Sequence, residues 1–136
     1  MALRAYEVNR NWQVRAENAL AAAFRCAIEE GGNDLYAYSV LEISTGDIRK
    51  ISTRTNHGAE VAVCRAIILP GGKYAMIGAK EELLEGTESR WLVFPTIPGK
   101  GPMLSLAEPF REKDRAMRRA RAIGQIIGSR EPPILS

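Results

Sequence analysis

Two turn signals divide the middle of the chain into paired segments, and they constrain its fold more than any other feature. Thr45-Gly46-Asp47 separates residues 35–44 from 48–54, and Pro70-Gly71-Gly72 separates 61–69 from 73–79. Glycine, proline and aspartate supply the backbone angles of tight turns. The flanking segments are rich in β-branched and aromatic residues, which suit a pleated, half-buried surface. Each pair therefore reads as a β-hairpin. Residues 61–69 are apolar except for Arg65, so this strand is expected at the centre of a sheet. A short helix over 59–69 competes with that reading, because periodicity alone does not separate the two. The β-branched content favours the strand. Residues 90–94 read as a further strand ended by Pro95, and 103–106 as a short edge strand. Residues 80–86 read as a short acidic helix or turn, and 96–102, with two prolines and two glycines, as a loop.

Helical spacing appears at both ends of the chain. Asn11 is placed to cap a helix that begins near Trp12. Ala16, Leu20, Ala23, Phe24, Ala27 and Ile28 then form one apolar stripe. Gly31-Gly32 ends it, since glycine accepts the left-handed conformation just past a helix C-terminus. The second helix is expected over 110–130, with Glu108-Pro109 at its start. Residues 1–11 read as a polar lead-in and 131–136 as an extended tail. The fold expected from this order is one α+β domain. An antiparallel sheet of about five strands is flanked by an N-terminal and a C-terminal helix on the same side.

The charge is unevenly placed. Residues 110–130 hold seven basic side chains and two acids, so they carry +5 against +3 for the whole chain. When each residue is turned by about 100°, Arg111, Arg115, Arg118, Arg119 and Arg121 fall within roughly 160° of arc. Phe110, Met117, Ala120, Ile123, Gly124 and Ile127 fall on the other side. No apolar run approaches the roughly 20 residues that span a bilayer, and no membrane partner is expected. The first residues lack the apolar core of an export signal. Cys26 and Cys64 are isolated, without a CxxC pair or a disulfide framework. These features fit a reduced, cytoplasmic setting.

Guanidinium groups pair bidentately with phosphate and stay charged at any relevant pH. The arginine face thus points to an anionic partner: nucleic acid through its phosphates, or an acidic protein surface. Arg49, Lys50 and Arg54 extend the positive surface if their strand lies beside the helix. A solvated helix face is the plain alternative. So is salt bridging to Glu81, Glu82, Glu85 and Glu88, within the chain or across a homo-oligomer. Tyr36 and Tyr38 share a strand face and are candidates for stacking on bases, although core packing is the ordinary role of such rings. His57, the only histidine, stands near Glu60 and Cys64, but the spacing matches no metal motif, and no cofactor is implied. Neither glycine-rich turn has the spacing of a phosphate loop. No constellation for catalysis is visible. The chain reads as a small non-enzymatic binding module for nucleic acid, with a protein-interaction or oligomerisation module as the alternative. An enzyme of unknown chemistry, with His57 as its weak anchor, comes third.

Overall fold

A computed structural model describes residues 3–33, 35–54, 59–78, 80–97, 101–129 and 132–135. The fold is α+β, with two helices and two separate sheets. The first sheet holds β1 (Arg4–Val8), β2 (Trp12–Ala16), β3 (Ala37–Glu42) and β4 (Ile48–Ser52), in the antiparallel order β2-β1-β3-β4. The second is built on β5 (Glu60–Ile68) and β7 (Ser89–Ile97), which run antiparallel along eight paired residues. β6 (Tyr74–Ile77) and the parallel strand β10 (Ile134–Leu135) pair with β5, while β8 (Gly101–Pro102) and β9 (Glu108–Phe110) pair with β7. Helix α1 (Ala19–Glu30) packs on the first sheet and helix α2 (Lys113–Ile127) on the second, and the helices touch each other. One apolar core joins the inner faces of both sheets through the helices.

Both expected hairpins are present, as β3–β4 and β5–β6, and β5 is paired on both sides. The single sheet of about five strands is corrected to two sheets. The chief cause is β1 and β2, which occupy the expected lead-in and the first turn of the expected helix. Asn9 and Arg10 both take left-handed φ, at 50° and 63°, and the Asn11 N–H returns to the Val8 carbonyl at 3.1 Å. Such turns are ordinarily signalled by Asn-Gly, and arginine in the second place hides this one. Tyr6 and Val8, at 1% and 0% exposure, then carry the N-terminal segment into the core.

The cap that starts α1 is Asn18, not Asn11. Its side-chain oxygen accepts from the Ala21 N–H at 2.8 Å, satisfying one of the orphan donors of the first turn. Gly31 ends α1 at φ 89°, donating to the Ala27 carbonyl. Alanines 21, 22, 23 and 27 are buried together with Phe24 and Cys26, because small side chains let α1 lie between a sheet and a second helix.

Four further boundaries differ from expectation. Pro95 lies inside β7, opposite Val61, and its carbonyl accepts from the Met103 N–H at 2.9 Å. Residues 104–106 form a 3₁₀ turn that buries Leu106, not an edge strand. Glu108 and Pro109 pair with β7 as part of β9, so α2 begins only at Lys113. Thr96 and Ile97 belong to β7 and pair with Pro102 and Gly101 of β8 where a loop is expected, whereas Lys80, Glu85 and Gly86 lie in turns, one of the two forms expected there. The tail contributes Ile134 and Leu135 to the β5 edge.

Candidate anionic-partner interface

Helix α2 sorts its side chains by packing. Ala116, Ala120, Ile123 and Ile127 are buried against the second sheet. Arg115, Arg118 and Arg121 are exposed on the opposite side. Arg118 and Arg121 form no ion pair among the described residues, and Arg115 stands 3.9 Å from the Glu112 carboxylate. An exposed contact at that distance contributes little. Arg111, also exposed, precedes the helix instead of belonging to it.

Arg119 has a different role. Its Nε and one terminal nitrogen donate to the two oxygens of Glu108 at 2.9 and 3.1 Å. Both side chains are about one-third exposed. This bidentate clamp ties the middle of α2 to β9. Arg119 therefore holds the helix down, and its fork is occupied.

The basic residues of β4 do not extend this face. Arg49 pairs across to Val40 and faces the α1 side of the first sheet, whereas Lys50 faces outward opposite Ser39. Arg54 does reach α2, at its C-terminal end. A Cβ on Gly128 would lie 2.8 Å from Arg54 Cγ, so the arginine stem packs directly on the helix cap. Its guanidinium then sits 5.1 Å from the centre of the Tyr36 ring. A cation at a helix C-terminus is favoured by the helix dipole.

The two stacking candidates separate as well. Tyr38 is 2% exposed beneath α1, which removes its ring from contact with any external base. Tyr36 is half-buried at φ 51° with one face under Arg54. Glu81, Glu82, Glu85 and Glu88 are exposed and make no ion pair among the described residues. His57 lies outside the described residues. Cys64 is buried in a second, small apolar cluster with Ala62, Ala66, Leu92 and Phe94.

Sequence reasoning missed one cluster at the other end of α2. Arg65 and Lys113 lie 5.7 and 5.8 Å from the centre of the Trp91 ring. Arg65 was visible as the single charge inside an apolar strand, and its cross-strand partner is Trp91. A charged side chain can remain at such a position when an aromatic face and a carbonyl receive it.

Burial governs the titrating groups inside the first sheet and α1. The Cys26 thiol is pushed up to about 12 by burial, then by its contact with Glu30 at 3.4 Å. Burial, followed by Cys26 and Glu30, pushes the Tyr38 hydroxyl up to about 12. Glu42 moves the other way. The Thr45 hydroxyl donates to it at 2.7 Å, Arg4 at 3.2 Å and Tyr6 at 3.3 Å, and together they hold its carboxyl below the usual range.

The Tyr38 hydroxyl is buried with no hydrogen-bond partner among the described residues. Removing an unsatisfied buried hydroxyl relieves a desolvation cost, so Tyr38→Phe is expected to stabilise the protein by about 1 kcal/mol. The native proton is held to about 12 against an ordinary value of 10.0. The associated stability is present below pH 10 and is lost as pH rises toward 12. Urea unfolding at neutral pH and at pH 10.5 checks both points. The variant should be more stable at neutral pH and lose less on going to alkali. A clearly destabilised variant would contradict the reading.

Comparison with protein-family models, with curated proteins and with solved structures yields no match. Among the described residues, no helix is long and apolar enough to cross a membrane.

Proposed function

We propose that this chain is a small cytoplasmic binding module that holds nucleic acid through phosphate contacts from the exposed face of α2. The observation that carries the reading is the state of Arg115, Arg118 and Arg121. They project from one helix face, and among the described residues none is committed to a carboxylate closer than 3.9 Å. From Arg115 to Arg121 the helix rises about 9 Å, a span over which a nucleic-acid backbone presents more than one phosphate. Arg111 continues the charge beyond the helix start. With Tyr38 buried and Tyr36 covered on one face, stacking on bases contributes little. Contacts to phosphate position a protein without reading sequence, so little sequence preference is expected.

The test is fluorescence anisotropy with labelled duplex and single-stranded DNA and RNA. The informative variant replaces Arg115, Arg118 and Arg121 with alanine and leaves the Arg119 clamp intact. Its affinity should fall at least about tenfold at low salt, since three charge-assisted contacts are removed. Equal affinity in the variant and the parent would remove the reading.

A protein-interaction module is the second reading, and one observation favours it. Tyr74 and Met76 on β6 and Ile134 and Leu135 on β10 are all at least 40% exposed, and both strands lie on one side of β5. Apolar side chains grouped in this way are common at protein interfaces.

A further inference from the structure

The segment after β6 reads Glu81-Glu82-Leu83-Leu84-Glu85, with Glu88 shortly beyond. Arg65 fastens it by donating to the Glu81 carbonyl at 2.9 Å. Leu84 is 85% exposed, more than any other large apolar side chain among the described residues. The segment thus presents a bare leucine surrounded by carboxylates that have no cationic partner among the described residues.

The opposite chemistry lies along α2. A groove of about 390 Å³ runs between α1 and residues 105–108, and Ile28, Leu106 and Ala107 give it an apolar wall. Its own charges are matched. Arg25 pairs with Glu29 at 3.2 Å, and Arg119 pairs with Glu108. The surplus positive charge stands on α2 at Arg115 and Arg118, one turn and one residue before Arg119, the α2 residue that lines the groove. Among the described residues, no ion pair joins the two surfaces within one chain. β5 carries Arg65 and hence the acidic segment, while β9 borders the groove, and these strands lie on opposite edges of β7.

We propose that the α2 face and its groove receive residues 81–85 of a second copy of this chain, with Leu84 in the groove and the carboxylates on Arg115 and Arg118. Charge complementarity selects this occupant, because the acidic segment and the basic face belong to the same sequence and, among the described residues, neither has an ion pair closer than the 3.9 Å contact of Arg115 with Glu112. The donor and acceptor surfaces differ, so each copy both gives a segment and receives one, and a reciprocal two-fold dimer or a head-to-tail ring satisfies both surfaces. Nucleic acid and the acidic segment then compete for the same arginines. The proposal does not depend on nucleic-acid binding.

Sedimentation velocity of the whole chain over a concentration series, at low and at raised salt, tests it. Three variants accompany the parent: Arg115→Glu with Arg118→Glu, Glu82→Arg with Glu85→Arg, and Leu84→Ser. The parent should associate as concentration rises, and less so in salt. Each variant should associate about tenfold more weakly or less. An equimolar mixture of the two charge-reversed variants should associate again, because their reversed surfaces match. A parent that stays monomeric throughout, variants that associate as the parent does, or a mixture that fails to associate would each overturn the proposal. The Glu82→Arg, Glu85→Arg variant keeps α2 intact. If its mixture associates while it binds no nucleic acid, only the nucleic-acid reading falls.

Discussion

Phe24→Ala is expected to lower the stability of the fold by about 3–5 kcal/mol. Phe24 is fully buried, and it is the one large side chain among the buried residues of α1. Its fully buried neighbours on that helix are alanines and a cysteine, too short to fill a vacated ring, and the larger Leu20 and Ile28 flank it at the partly buried edge of the core. The site lies where α1 meets both the first sheet and α2, so the surrounding elements cannot collapse independently. The loss should therefore fall near the upper end of the range. Against the roughly 5–15 kcal/mol that holds a typical domain together, it is a large fraction. Urea unfolding should show a lower midpoint with an unchanged slope. A change below about 1 kcal/mol would mean that Phe24 is not packed as described.

Gly128→Ala is expected to cost about 2–3 kcal/mol, clearly more than Gly31→Ala at about 1 kcal/mol. Both glycines end a helix in the left-handed conformation, at φ 73° and 89°. An alanine carries the same conformational cost of roughly 1 kcal/mol at either place. The difference lies in what a methyl group meets. At Gly31 nothing lies within 4 Å, whereas at Gly128 the Cβ, Cγ and Cδ of Arg54 lie within 2.8–3.1 Å. These atoms are the root of the side chain, not its flexible end, so Arg54 must leave its place over Tyr36. Losing that contact adds about 0.5–1 kcal/mol, and the displaced stem adds the rest. Measured in an Arg54→Ala background, the further cost of Gly128→Ala should fall toward that of Gly31→Ala, because the Cγ and Cδ atoms and the Tyr36 contact are already gone. Equal losses at the two glycines would show that Arg54 does not pack on the cap of α2.

The parts of the fold that were legible in the sequence are those with strong local chemistry. The β3–β4 and β5–β6 hairpins follow from their turn residues, and the end of α1 from Gly31. The β1–β2 hairpin was hidden because Arg10, not glycine, takes the second left-handed position of its turn. Trp12 to Ala16 was absorbed into the alanine stripe because period two and period 3.6 coincide over so short a stretch. Asn18 and Asn11 are equally good caps by composition, and only the pairing of β2 with β1 decides between them. Pro109 fits a helix start or an edge strand equally well, since its fixed φ suits both. The pairing of β9 with β7 decides that case, and it moves Arg111 off the helix.

The candidate interface was legible to a similar degree. Helical spacing placed Arg115, Arg118 and Arg121 on one exposed face. It did not reveal that Glu108, eleven residues earlier, takes up Arg119, because that pairing depends on β9. Nor did it separate Arg49 from Lys50, which alternate across a strand of the other sheet. Strand pattern put Tyr36 and Tyr38 on one face, but Tyr36 precedes β3 at φ 51° and lies against Arg54, and only Tyr38 is buried under α1.

The salt dependence of nucleic-acid affinity tests the central claim most directly. If Arg115, Arg118 and Arg121 each neutralise one phosphate of a duplex, log K should fall against log salt with a slope of about −2.7. Between 50 and 200 mM salt the affinity would then drop about 40-fold. The variant with all three arginines changed to alanine should lose most of that slope. Binding that is flat across this range, or a slope that survives in the variant, would contradict the account.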